Sequence, residues 1–312
     1  MQISVYITSY NKERYISETI DSVLAQTLQP HEIIIVDDGS QDDSREIIQS
    51  YVNRFPESII PVLNEQNLGI AACRNIALKR VIGKVVTYLD GDDIFYRDKL
   101  LSEYEILSSK KDLSVVYSNF DYITSSGENM GSFSEDNDLP VTGNIFKETL
   151  LRQYNVTSGN NYIYEMFYKS CAQEIGLYDE KIKIWEDWDF RIRMSKEYQY
   201  GYCPDVNSAY RKLESGLHNS KPELHYREQI KIYNKNKHLM LDLDESEKRI
   251  IQNRIYARMK KLFIVIGKSN LDQKQYLRMF KDCFKFIKTF QFKKAIGFIY
   301  KELFLHPSNS CL

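Results

Sequence analysis

The 312 residues carry 42 Lys and Arg against 43 Asp and Glu, a net charge of -1 that excludes a global electrostatic pull on nucleic acid. Hydrophobic residues make up 43% and aromatic residues 13%, enough for one large core with an appendage. Cys73, Cys171, Cys203, Cys283 and Cys311 are too scattered for a disulfide scaffold or a zinc site. The start "MQISVYITSYNKERY" lacks a leader pattern and no run reaches about 18 apolar residues, so the expectation is a reducing cytoplasm and a chain that is soluble or lies on a membrane surface.

Short β-branched runs open the chain: "ISVYI" (3–7), "EIIIV" (32–36), "SIIPVL" (58–63) and "KVVTYL" (84–89) read as strands apolar on both faces. Between them, helical spacing sets Ile16, Ile20, Val23 and Leu24 on one face. It does the same for Ile47, Ile48, Tyr51 and Val52, and for Ile70, Cys73, Ile76 and Ala77. Strand and helix in alternation predict right-handed crossovers and a Rossmann-like, mostly parallel sheet flanked by helices. Ligands bind beyond the carboxyl ends of such strands. There stand "TSYN", "DDGSQDD", "NEQNLG" and "DGDD".

From about residue 113 the pattern loosens. "LSVVYSNFDYI" predicts a strand, the segment from Thr124 to Asn144 a long loop, "NIFKETLLRQY" a helix, and "WEDWDFRIRMSKEY" (185–198) a helix with carboxylates in its first turn. Beyond Pro222 the composition shifts to helix formers, giving an α/β domain over 1–220 and a helical extension over 221–312. In "FKDCFKFIKTFQFKKAIGFIYKELFLHP" six lysines face Asp282 and Glu302. That tail reads either as an interfacial helix on anionic lipid or as an apolar face packed on protein, a second copy of the chain included.

"YLDGDD" crowds Asp90, Asp92 and Asp93 at the end of an apolar strand. Carboxylates so close raise one another's pKa unless a metal ion, backbone amides or solvent compensates. Read alone, the stretch leaves all three open, with Asp93 also a candidate cap for a helix starting near Arg97.

"VYITSYNKERYISETIDSVLAQT", "EIIIVDDGSQDDS", "NEQNLGIAACRNIAL", "YLDGDD" and "WEDWDF" resemble, in order and spacing, the family 2 glycosyltransferases, inverting nucleotide-sugar enzymes of the GT-A fold. The resemblance covers residues 1 to about 215. It implies a UDP-sugar donor, a hexose or N-acetylhexosamine transferred to a hydroxyl of a glycan, glycolipid or glycoprotein, and Mn²⁺ or Mg²⁺ as cofactor. Asp90 with Gly91 corresponds to the donor-sugar side of the D-x-D motif and Asp92 to its metal side, where a hard cation meets the diphosphate. Thr8, Tyr10, Asn11, Asp37 and Asp38 fall at the nucleotide, a carboxylate there accepting the uracil N3 proton. Gly69 lets the backbone approach and Arg74 donates to the uracil carbonyl or the ribose.

In "WEDWDF" the resemblance makes Asp187 the base that takes the acceptor proton. Glu186 and Trp185 then face the acceptor, and Trp188 either offers a sugar platform or packs in the core. Asp42 and Asp43 read as helix caps. "YRKLESGLHNS" departs from the family, with Leu213 where a histidine is usual; His218, five residues on, is either a metal ligand or an exposed loop histidine. Cys73 replaces the usual Ala, and Thr8 an often-present Pro. The runner-up function is a non-catalytic nucleotide-sugar-binding subunit. A nucleotidyltransferase would want a glycine-rich loop after the first strand, which "TSYNKERY" lacks.

Overall fold

The computed structural model describes residues 2–134, 140–152, 164–213 and 222–268. His218 and the basic aromatic tail at 280–307 lie outside the described residues. The chain divides into two compact units, Met1–Gly216 and Leu217–Leu312.

In the first unit β1 (Ile3–Ser9), β2 (Glu32–Asp37), β3 (Ile59–Leu63) and β4 (Val85–Asp90) form a parallel block in the order β3-β2-β1-β4. Helices α1 (Ile16–Leu24), α2 (Ser44–Arg54) and α3 (Ile70–Arg80) connect them. The apolar runs explain the order: Val5, Ile7 and Ile33 to Val36 are fully buried, each contributing about 1.5–3 kcal/mol over exposure. β3 differs from its expected two-sided burial, because it is the edge strand and Ile60 is 38% exposed. Pro61, which cannot donate to a ladder, is tolerated at such an edge.

Past β4 the sheet continues through β8 (Met166–Tyr168), β6 (Leu113–Ile123), β9 (Gln199–Arg211) and β5 (Ile94–Phe95), with β7 (Asn129–Ser132) beside β6. Parallel pairings carry the long ladders and antiparallel ones only short contacts. β7 lies inside the stretch expected to be loop, and the helix expected from "NIFKETLLRQY" shortens to α5 (Phe146–Leu151). Two more helices, α4 (Lys99–Ser109) and α6 (Lys169–Glu174), precede α7 (Glu186–Glu197). Cys73, Cys171 and Cys203 are buried free thiols.

Register positions the polar residues. Thr8 pairs with Asp90 across β1 and β4, and Ser9 with Asp37 across β1 and β2, so the strand ends deliver them to one edge. The second unit contains α8 (Pro222–Asn236), a 3-10 turn (Lys237–Met240) and α9 (Glu245–Lys268). Ile232, Tyr233, Ile251 and Ile255 are buried there, and no helix among the described residues is long and apolar enough to cross a membrane.

Candidate functional site

At the end of β4 each carboxylate of "DGDD" has found a different kind of compensation. Asp90 Oδ1 accepts hydrogen bonds from Thr8 Oγ1 (3.0 Å) and Arg74 Nη2 (3.1 Å). Asp92 Oδ2 lies 2.5 Å from the Lys12 ammonium; burial raises its carboxyl above the usual range while Lys12 opposes the rise. Asp93 is buried, accepting from the Arg211 amide (2.6 Å) and the Tyr164 hydroxyl. Burial, then the charges of Asp92 and Asp90, push the Asp93 carboxyl well up.

The expectation of Asp93 as a helix cap is therefore corrected. Asp98 precedes α4, and Asp93 is an interior link between β4 and β9. Glycine is favoured at 91 by proximity, since a Cβ there would stand 3.0 Å from the Thr8 carbonyl oxygen, a tight contact. Arg211 also holds the Asp92 carbonyl through Nε (2.8 Å) and reaches Glu18 (2.6 Å), so the turn is fixed from behind.

Around the end of β2 the acidic pair organises loops. Asp37 is fully buried and bonded by the Ser40 amide (3.0 Å) and hydroxyl. Asp38 accepts from the Leu68 amide (2.7 Å), the Gly69 amide (2.9 Å) and Asn64 Nδ2 (3.2 Å). A carboxylate has about four acceptor positions, and the Cys73 thiol is hydrogen-bonded to Asp38 as well. Gly69 sits at φ +91°, a left-handed conformation that favours glycine, with open space where a Cβ would stand. Asn11, also left-handed at φ 52°, accepts from the Gln41 amide (2.8 Å), while Tyr10 is 44% exposed. Asp42 accepts from the amides of Glu13 (3.1 Å) and Ser44 (3.1 Å) at the start of α2, whereas Asp43 makes no side-chain cap bond there.

Arg74, placed by α3, joins the two acidic segments. Its guanidinium is buried over the Tyr88 ring (4.9 Å) and pairs with Asp90 and with Glu186 Oε1 (3.0 Å). Small residues let α3 approach that closely: Ala71, Ala72, Cys73 and Ala77 are all buried. Glu186, expected to face the acceptor, is buried against Arg74 instead. Burial raises its carboxyl to about 7, with Arg74 opposing and the charge of Asp187 adding.

Asp187 is the more open of the two, with 22% of its side chain exposed. Its Oδ1 accepts from the Trp188 amide (2.8 Å) and its Oδ2 from Arg191 Nη1 (2.8 Å). Burial would raise it, but Arg191, then Arg74 and Arg152, outweigh that and hold it below the usual carboxylate range. Neighbouring carboxyls are thus pushed in opposite directions, a pattern of acid–base sites. Trp185, ahead of α7, is left-handed (φ 68°) with the Arg152 guanidinium 3.9 Å from its ring centroid. Trp188 is buried, its indole donating to the Thr149 carbonyl (2.7 Å), which places it in the core.

Four participants were not singled out by sequence reasoning: Lys12, Glu165, Arg191 and Arg211. Arg191 was accessible from its i,i+4 spacing to Asp187 on a predicted helix. The others pair across 80 to 193 residues or sit where no element was assigned. Among the described residues no three His, Cys, Asp or Glu side chains form a metal site by themselves. A divalent ion carried by a diphosphate needs only one or two carboxylates, however, and the cation already seated on Asp92, an ammonium, marks that carboxylate as fitting such an ion.

Residues 4–212 match the family described as Glycosyl transferase family 2. The "Minor teichoic acid biosynthesis protein GgaA" of Bacillus subtilis (strain 168) is 31% identical over 216 residues, covering 67% of this chain and 47% of its own length. The chain thus spans about half of that relative. Among solved structures, S. aureus TarS 1-349 in complex with UDP-GlcNAc superposes with a TM-score of 0.69 at 20% identity, over 95% of this chain and 83% of that one. The mannosyltransferase PcManGT of Pyrobaculum calidifontis, in complex with GDP-Man and Mn²⁺, gives 0.58 at 14%, over 97% and 84%. These likenesses show the GT-A fold.

Proposed function

The chain belongs to glycosyl transferase family 2, and on that premise we propose that it is an inverting, metal-assisted enzyme that moves a hexose or N-acetylhexosamine from a UDP-sugar to a hydroxyl of a surface-polymer precursor. The observation that carries the reading is Arg74, which draws Asp90 of the β4 turn and Glu186 of α7 into one cluster beside Asp187. Donor-side and acceptor-side carboxylates are thereby brought into one cluster.

The donor nucleotide sits over the ends of β1 and β2. Asp38 accepts the hydrogen bond of the uracil N3–H in place of one of its present donors, and Tyr10 and Gly69 border the base. Asp90, steadied by Thr8 and Arg74, faces the ribose or sugar. Asp92 would hold the divalent cation, which would supply charge stabilisation to the departing diphosphate. Asp187 accepts the proton of the attacking hydroxyl as that oxygen bonds to the anomeric carbon on the face opposite the diphosphate; inversion and release of UDP follow. Trp185 offers the acceptor an aromatic face.

The GgaA likeness supports a cell-surface polymer as acceptor, and the TarS complex supports UDP-GlcNAc as the first donor to try. Calorimetry of UDP with Mn²⁺ present and withheld tests the site. Metal-dependent binding that Asp92→Asn abolishes is expected; equal binding without metal would remove Asp92 from its role.

A further inference from the structure

Behind Asp187 lies a fully buried ion pair that the transfer chemistry above leaves unused. Glu165, just ahead of β8, receives Arg191 bidentately: Nε to Oε1 at 3.0 Å and Nη2 to Oε2 at 2.9 Å. Tyr88 closes the triangle, donating its hydroxyl to Glu165 Oε2 (2.9 Å) and accepting from Arg191 Nη2 (2.8 Å). Only Nη1 is directed at Asp187, at 2.8 Å. Both members of the pair are about 1% exposed, so neither charge is offset by solvent.

A guanidinium presents its N–H groups in a fixed fork, and the three on Nε and Nη2 are committed to Glu165 and Tyr88. The hydrogen bond to Asp187 therefore comes from a group whose charge is largely matched elsewhere. Had Arg191 faced Asp187 alone, an unmatched buried cation would hold the carboxylate so firmly ionised that it would be a poor proton acceptor.

We propose that Glu165 is a positioning residue that, through Arg191, orients Asp187 and sets its strength as a base. The inference rests on Asp187 being the base. Among the described residues, the other charged or titratable groups around Asp187 are Glu186 on its own helix, Arg74 from α3, Arg152 after α5 and Tyr210 from β9. Arg74 is itself matched by Asp90 and Glu186.

Two substitutions give shifts of opposite sign, which a merely structural pair would not. Glu165→Gln leaves the Arg191 charge unmatched, so the Asp187 carboxyl titrates lower than in the wild type. Arg191→Gln removes the cation, so it titrates higher, by about 1 pH unit or more. The readout is a carboxyl ¹³C NMR titration of the full chain, with Asp187 assigned through Asp187→Asn. The acidic limb of UDP release from UDP-GlcNAc with Mn²⁺ should move in the same directions.

Because single variants strand a buried charge, the double variant Glu165→Gln with Arg191→Gln removes both charges together and is the safer fold. It too should raise the Asp187 titration. Unmoved titrations, or shifts of one sign in both single variants, overturn the proposal, as does an unmoved double variant. Full UDP release by Asp187→Asn would instead remove the base assignment itself, whatever the titrations show.

Discussion

Arg74 Nη1 lies 3.0 Å from Glu186 Oε1, while Nη2 of the same guanidinium reaches Asp90 at 3.1 Å. One buried cation thus ties the end of β4 to the start of α7. Replacing it by methionine leaves two carboxylates without their shared partner, and breaking a buried pair in this way costs about 3–5 kcal/mol. Arg74→Met should therefore lower the denaturation midpoint sharply. Arg74→Lys, which keeps the charge but not the fork, should fold better yet still lose most UDP release.

Glu186 supplies a stability signature in pH. Its carboxyl is raised in the folded chain to about 7, so it binds a proton more tightly folded than unfolded. That contribution is complete below the ordinary Glu range of about 4.3 and is lost as pH rises through about 7. Glu186→Gln cannot lose it. Thermal melts from pH 5 to pH 8 should show the wild type losing stability relative to Glu186→Gln as pH rises; parallel curves would contradict the assignment.

Trp188 and Trp185 should separate cleanly. Trp188→Ala empties a buried site and removes the indole donor to the Thr149 carbonyl, a loss of about 3–5 kcal/mol readable in chemical denaturation. Trp185 is partly exposed and left-handed, so Trp185→Gly should change stability little, while lowering transfer to a sugar acceptor.

Metal removal should distinguish Asp92 from its neighbour. Chelation in the wild type and Asp92→Asn in Mn²⁺ should lower UDP release to a similar floor, because both remove the same compensation of the diphosphate. Asp93→Asn should chiefly lower stability, since its contacts with Tyr164 and Arg211 are interior. Loss of metal dependence in Asp93→Asn at unchanged stability would reverse the two roles.

The parallel block was legible because its strands and helices have clean apolar periods, and the site edge followed from their order. Asp92 and Asp93 are chemically identical neighbours, however. Their difference comes from Lys12, 80 residues before, and Arg211, 118 residues after, which only folding brings together. Glu165 was illegible for the same reason: its partner Arg191 lies on another element, 26 residues away. Pro61 was a signal present in the sequence that β3 is an edge.

The central claim is that Asp187 takes the acceptor proton while the donor is held elsewhere in the cluster. UDP release from UDP-GlcNAc with Mn²⁺, measured beside UDP affinity in wild type and Asp187→Asn, tests it most directly. The expected result is a rate lower by about 10²-fold or more with affinity unchanged. A variant that releases UDP at the wild-type rate, or that loses affinity in step with rate, would contradict it.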